Sequence, residues 1–271
     1  MDELIQCQKT WESIAREDPL WGILTDEGKA GRRWDKDEFF QTGQHEIAIV
    51  FDYLHSVGLR PDGGSALDFG CGVGRLTQAL AERFSSVHGI DISETMIVEA
   101  NRFNRLPAKC HYLVNASPDL RLFSTDSFDF IYSSIVLQHV PVRYVERYLS
   151  EFIRVLKPNG VLLFQMPDAF RAKIEEGISL WTKLRSKARL RTRFRRWLSQ
   201  AGLLKQGEGS PAMQMNSIPE IKIQKLINRL GARVTDIKLT NSTDPGFDGN
   251  LRFLEAEPLQ GWVSKQYCVI K

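Results

Sequence analysis

The chain contains 271 residues, of which 42% are hydrophobic and 25% charged, and its mean hydropathy is −0.26. These values are typical of a globular protein and exclude wholesale disorder and collagen-like repeats. The net charge of +3 is too small by itself to indicate a nucleic-acid partner. A chain of this length can bury a sizeable core as one domain.

The chain begins without a basic segment followed by an apolar run, and it contains no stretch of 18 apolar residues. We therefore expect neither a secretory signal nor a membrane span. The four cysteines are widely separated and form no C-x-x-C pair or Cys/His ladder, so no metal site is expected. Free thiols favour a cytoplasmic protein.

Residues 1–44 are rich in aromatic and charged side chains and are predicted to form an amino-terminal cap on a single domain of residues 1–271. After residue 44, helix and strand patterns alternate, which predicts a mostly parallel sheet with helices on both faces. Residues 168–215 interrupt the alternation and are predicted to form a basic helical insertion. Strands are expected at 66–69, 87–90, 111–114, 128–133, 160–166, 233–239 and 266–270, and helices at 76–84, 93–103, 143–156 and 218–230.

Alternating glycines follow the first predicted strand, in the sequence LDFGCGVG at 67–74. Glycine lets the backbone turn sharply and lets a ligand approach without meeting a Cβ atom, and the helix that follows begins with free N–H donors. The dinucleotide pattern G-x-G-x-x-G would need a further glycine where Arg75 or Thr77 stands. Asp68 would repel a pyrophosphate but suits the positively charged methionine end of S-adenosylmethionine (SAM). A turn without any ligand is the alternative.

A second carboxylate, Asp91, ends the next predicted strand about 20 residues after Gly70, where a doubly wound fold places an acid that accepts the ribose hydroxyls. Ser93 is expected to cap the following helix, so a purely local role of Asp91 at that helix start is the alternative. The combination of this carboxylate with the glycine turn favours ribose binding.

These segments together resemble the class I SAM-dependent methyltransferases, over residues 44–170 and 215–271. The resemblance implies a Rossmann-like α/β fold with a seven-stranded, mostly parallel sheet whose last strand is antiparallel, SAM as cofactor and S-adenosylhomocysteine (SAH) as product. The amino-terminal segment is similar to the cap of a bacterial subgroup that modifies sugars, surface glycans or small natural products. The matching pieces are LDFGCGVG at 67–74, GID at 89–91, SFD at 127–129 with Ile131, and VLKPNG at 155–160.

The resemblance also assigns residues to the cofactor. Asp91 is expected to bind the ribose, and Asn115 with Ala116 the adenine, although the family often has an Asp after strand three. The residues expected around the methionine part and the turn beside it are Asp68, Gly70, Cys71, Gly72, Gly74 and Ile92.

His139 follows the fourth predicted strand, where the crevice of such a sheet lies. Its imidazole suits the abstraction of a hydroxyl proton near neutral pH; the alternative is a histidine that binds backbone and shapes the pocket. Enzymes that methylate amino groups often have an Asn-Pro-Pro-Tyr or Asp-Pro-Pro-Tyr motif after this strand, and this sequence does not contain it there. This absence favours an oxygen acceptor, in a pocket lined by Trp34, Phe40 and Gln138.

Residues 183–196 contain eight cations interleaved with apolar side chains. They predict a solvated helix over the cleft, a helix on an anionic membrane or lipid-linked glycan, or a phosphate-binding patch for nucleic acid. The predicted function is a SAM-dependent methyltransferase, cytoplasmic or peripheral at the membrane, acting on a hydroxyl of a sugar, glycan or small metabolite. The alternatives are a methyltransferase that modifies RNA or protein through the basic segment, a non-catalytic binding module and an NAD-linked oxidoreductase.

Overall fold

The computed structural model of the chain describes residues 3–172 and 215–271. The basic segment 183–196 and most of the predicted insertion lie outside the described residues. The helices are α1 Glu3–Glu17, α2 Pro19–Ile23, α3 Lys36–Ser56, α4 Arg75–Leu80, α5 Glu94–Phe103, α6 Val142–Val155 and α7 Glu220–Arg229, with 3₁₀ turns at Glu27–Lys29 and Leu137–His139. The strands are β1 Ser65–Phe69, β2 Ser86–Asp91, β3 Cys110–Val114, β4 Phe128–Ser133, β5 Leu156–Arg171, β6 Arg233–Thr240, β7 Phe253–Leu254 and β8 Gly261–Ile270.

The strands form one sheet in the order β3-β2-β1-β4-β5-β8-β6-β7. Strands β1 to β5 are parallel, and β8 is antiparallel to both of its neighbours. The Rossmann-like α/β fold and the antiparallel last strand are therefore confirmed. In the described residues the sheet contains the seven predicted strands and one additional strand, β7, which is only two residues long and pairs with the end of β6. Two residues are too few to produce a periodic pattern in the sequence.

Both faces of the sheet are covered, as the alternating side chains of its strands require. Ala66 and Phe130 point to the face that α3, α4 and α5 cover. Their neighbours Leu67 and Ile131 point to the opposite face, beneath α6 and α7. Each face thus has its own apolar cluster, and the central strand β5 contains a continuous buried apolar run at 161–164, as expected of a strand covered on both faces.

The amino-terminal segment packs on the core through a third apolar cluster, which joins aromatic side chains of residues 34–40 to Val73 and Met96. Asp35 caps α3 by accepting a hydrogen bond from the Glu38 N–H at 3.0 Å. Helix α3 runs through residue 44, so the predicted border between cap and core lies within one helix.

Strand β1 lies between β2 and β4 at the point where the strand order reverses. Ligands of open α/β sheets bind at such a point, outside the carboxyl ends of the strands. In the described parts of the chain, none of the helices combines the length and the apolar character that a membrane crossing requires.

Candidate cofactor and acceptor cavity

The loop between β1 and α4 adopts a conformation that only glycine tolerates. Gly70 has φ 76° and Gly72 has φ 52°, both in the left-handed region. A Cβ atom on Gly70 would lie 2.4 Å from Val136 Cγ2, and one on Gly72 would lie 2.5 Å from Ile23 Cδ1. The loop is therefore held between the turn after β4 on one side and helix α2 of the cap on the other.

Asp91, at the end of β2, is fixed against this loop by backbone N–H groups. Its Oδ2 accepts from the Gly72 N–H at 3.0 Å, and its Oδ1 accepts from the Ser93 N–H at 2.8 Å. Burial raises the pKa of Asp91 to about 6, although these hydrogen bonds favour the ionised form. Ser93 caps α5 through the Met96 N–H at 3.2 Å, which confirms its predicted role.

The described residues enclose a cavity of about 1150 Å³ at the carboxyl ends of β1, β2 and β4. Eight of the predicted site residues line it: Gly70, Cys71, Gly72, Asp91, Ile92, Asn115, Gln138 and His139. The remaining five do not: Asp68, Gly74, Ala116, Trp34 and Phe40.

Asp68 faces away from the cavity because strand side chains alternate, and it shares the sheet face of Ala66. It is 1% exposed and accepts a hydrogen bond from Thr77 Oγ1 at 2.6 Å. This bond fixes the first turn of α4 to the end of β1. Burial raises the pKa of Asp68 to about 7. Gly74 is the N-cap residue of α4 and packs against the Tyr112 side chain.

Asn115 follows β3 and is 5% exposed. Its backbone N–H donates to the Asp91 carbonyl at 2.8 Å, and its Nδ2 donates to the Asp119 carbonyl at 3.1 Å. These bonds hold Asn115 at the cavity wall beside Asp91. Ala116 is exposed outside the cavity.

Trp34 and Phe40, expected at the acceptor pocket, are instead buried in the cluster between cap and core, at 7% and 9% exposure. Trp34 Nε1 donates to the Leu24 carbonyl at 3.1 Å. The cap aromatics that do reach the cavity are Trp11 and Trp21. Trp11 lies on α1 and Trp21 on α2. The number of tryptophans in this segment was the only signal for them in the sequence.

The sequence did not predict the residues that line the cavity on the side of the antiparallel strands. This side consists of the loop 242–247 after β6, the start of β8 with Trp262, and Phe170 near the end of β5. The rings of Phe170 and Trp262 pack edge to face with centroids 5.0 Å apart. The antiparallel pairing of β5 with β8 joins these residues although they are distant in sequence, so no local pattern indicates them.

His139 stands in the 3₁₀ turn after β4 and is partly buried. The preceding Ile135 has φ 54°, a conformation that β-branched residues rarely adopt, so the surrounding packing imposes this turn. The His139 ring packs edge to face with Trp11 at 5.3 Å between centroids. Its Nε2 lies 3.0 Å from Gln138 Nε2.

Comparison with known proteins shows which proteins this chain resembles. Residues 67–164 match a family model described as "Methyltransferase domain". Trans-aconitate 2-methyltransferase of Enterobacter sp. (strain 638) is 33% identical over 138 residues, which cover 50% of this chain and 51% of that protein. Ubiquinone biosynthesis O-methyltransferase of Idiomarina loihiensis is 34% identical over 140 residues, 50% of this chain and 55% of that protein. The chain thus spans about half the length of the curated relatives it matches.

The crystal structure of magnesium protoporphyrin IX methyltransferase from Synechocystis PCC 6803 with bound SAH is similar over 100% of both chains. Its TM-score is 0.59 at 18% sequence identity, a likeness that concerns the fold. Residues 67–164 thus resemble a methyltransferase domain, and the strand order of the sheet is consistent with the Rossmann-like fold of such enzymes.

Proposed function

We propose that this protein transfers the methyl group of SAM to a hydroxyl group of a small molecule. One observation carries the proposal: a single cavity contains both the Asp91 carboxylate, fixed to the glycine loop, and the His139 imidazole. The first group suits a nucleoside and the second suits proton transfer. The alternative acceptors, RNA or protein, depend on the basic segment 183–196, which lies outside the described residues.

The residues at the glycine loop fit the adenosine and methionine parts of SAM. Each oxygen of Asp91 accepts one backbone N–H, and the remaining lone pairs of the carboxylate are the acceptors that a ribose diol needs. Gly70 and Gly72 line the cavity next to Asp91, and the methionine part would lie along this loop. Ile92 and Asn115 border the adenine end. Asp68 supports the loop through Thr77 rather than by direct contact.

SAM, when bound, supplies a methyl group on a sulfonium, and its transfer to an oxygen leaves SAH. The protein's own contribution is to orient the hydroxyl and to accept its proton. His139 lines the cavity and stands in the turn whose residue Val136 packs against Gly70. We therefore place the acceptor hydroxyl next to this turn. We assign His139 as the general base.

The lining of the acceptor side indicates the class of acceptor. Aromatic rings form much of this wall, and flat molecules stack on such rings. Apart from Asp91, which is assigned to the cofactor, the carboxylates among the described residues lining the cavity are Glu17, Asp18 and Asp244, and the guanidiniums are Arg75 and Arg171. Each guanidinium already pairs with a carboxylate, Arg75 with Glu46 and Arg171 with Glu257. A neutral molecule with an aromatic ring, or with a sugar ring whose C–H face packs on the aromatic side chains, fits this lining better than a polycarboxylate does.

The test is an acceptor screen with methyl-labelled SAM, comparing neutral sugars, phenols and polycarboxylates such as trans-aconitate. We expect transfer to a neutral hydroxyl compound and none to trans-aconitate. His139→Ala should lower kcat at least 100-fold while leaving SAH affinity within about twofold, because Asp91 is unchanged. Unchanged turnover in this variant would remove His139 as the base, and a failure to bind SAM or SAH would refute the proposed function.

A further inference from the structure

A buried chain of polar side chains leads away from His139 beneath the cavity. Gln165 Nε2 donates to Gln138 Oε1 at 3.0 Å and to Ser264 Oγ at 2.9 Å. Ser264 Oγ lies 2.8 Å from Thr240 Oγ1, to which Ser242 Oγ donates at 3.0 Å. We call the five residues Gln138, Gln165, Ser264, Thr240 and Ser242 the amide relay, and none of them is more than 5% exposed.

The relay is assembled from four separate elements. Gln138 stands in the 3₁₀ turn after β4, Gln165 on β5, Ser264 on β8, and Thr240 ends β6. Both of its ends open on the cavity, through Gln138 and Ser242. Buried polar networks are costly unless they are satisfied, yet Gln165 Oε1 has no hydrogen-bond partner among the described residues. Such exceptions in folded proteins call for an explanation beyond stability.

The direction of the hydrogen bonds determines which way the Gln138 amide faces. A carboxamide nitrogen can only donate, and its oxygen can only accept. Since Gln165 Nε2 donates to Gln138 Oε1, the oxygen of Gln138 faces Gln165 and its nitrogen faces His139. The Nε2 atom of His139, 3.0 Å away, is then the acceptor of that contact. A neutral imidazole that accepts at Nε2 carries its proton on Nδ1.

We propose that Gln138, oriented by Gln165, is a positioning residue that selects the His139 tautomer with the proton on Nδ1 and the lone pair on Nε2. This proposal rests on the proposed role of His139 as the base. When an acceptor hydroxyl replaces the Gln138 N–H at Nε2, its O–H bond breaks and an N–H bond forms there. The ring takes the positive charge, and the Gln138 N–H turns to the substrate oxygen.

Two uncharged groups of the cap lie against His139. From the cap, the Trp11 ring edge packs against the imidazole, and the Cys7 thiol lies 3.6 Å from the backbone carbonyl of His139. Burial raises the pKa of Cys7 to about 11, so the thiol stays protonated near neutral pH. Neither group is charged, so neither supplies a charge that competes with the Gln138 amide.

The test measures the imidazole ¹⁵N chemical shifts of His139 in the full chain with SAH bound. The wild type should show a protonated nitrogen at Nδ1 and an unprotonated one at Nε2. Gln138→Glu keeps the length of the side chain but presents only acceptors when ionised, so the proton should move to Nε2. Gln165→Leu should give a mixture of both tautomers and lower kcat about tenfold, with SAH affinity within twofold.

Gln266→Leu is the matched control, because Gln266 pairs with Gln165 across β5 and β8, is equally buried at 2%, and takes no part in the relay. Its tautomer and kcat should equal those of the wild type. The inference is overturned if the wild type carries its proton on Nε2, or if Gln165→Leu and Gln266→Leu change the ¹⁵N shifts equally. Because the shifts are read without turnover, this result is independent of whether His139→Ala abolishes activity.

Discussion

Protonation of Asp91 should weaken the binding of SAH about tenfold between pH 7 and pH 5. Burial places the pKa of this carboxyl at about 6 in the folded protein, above its ordinary value of 3.8. Only the ionised form offers all its lone pairs to the ribose hydroxyls after accepting the Gly72 and Ser93 N–H groups. Binding is therefore full well above pH 6 and is lost as the pH falls through that value.

The magnitude follows from the ionised fraction. With a pKa of about 6, that fraction falls from roughly 0.9 at pH 7 to roughly 0.1 at pH 5. If the protonated form binds the ribose much more weakly, the apparent Kd rises about tenfold, or about 1.4 kcal/mol. The measurement is isothermal titration calorimetry with SAH at pH 5, 6 and 7, with the thermal unfolding midpoint recorded at each pH to show that the protein stays folded.

Two variants separate the carboxylates that titrate in this range. Asp91→Asn should bind SAH weakly at every pH and remove most of the pH dependence. Asp68, with a pKa of about 7, does not line the cavity, so Asp68→Asn should keep the tenfold change. A wild-type affinity that stays constant from pH 5 to 7 in folded protein would refute the reasoning, as would a pH dependence that disappears only in Asp68→Asn.

Three further predictions concern the loop, the buried ion pair and the acceptor wall. In urea denaturation, Gly70→Ala should lower the free energy of unfolding by about 2 kcal/mol more than Gly231→Ala does. Both glycines have φ near 80°, but of the two only Gly70 has protein atoms within 4 Å of the added Cβ. Equal losses in the two variants would contradict this. Glu46→Gln should lower the free energy of unfolding by about 3–5 kcal/mol. The substitution leaves the guanidinium of Arg75, which is 2% exposed, without the carboxylate that lies 2.7 Å from it. A loss below about 1 kcal/mol would mean that this pair contributes no more than an exposed surface pair does. Trp262→Ala should raise the acceptor KM about tenfold with SAH affinity unchanged, since aromatic contacts of this kind contribute about 1 kcal/mol or more; an unchanged KM would exclude stacking on this wall.

The amino-acid sequence alone determined the parts of this protein that depend on local pattern. Apolar runs predicted β4 at 128–133, where the structure has Phe128–Ser133. The starts of β1, β2, β3 and β6 were predicted within one residue, and those of β5 and β8 within five. The glycine turn after β1 and the carboxylate at the end of β2 could be predicted because each is a feature of a short segment. Both belong to backbone geometry that the nearest residues dictate. Their role in binding SAM stays a prediction.

Only the tertiary structure decided which side chains face the cavity. Trp34 and Trp262 are equally aromatic in sequence, but packing between cap and core buries the first, and the pairing of β5 with β8 brings the second to the wall. Likewise, Gln165 meets Gln138, 27 residues away, and Ser264, 99 residues away. The direction of a side chain depends on contacts with segments remote in the chain, and a local pattern carries no information about those contacts.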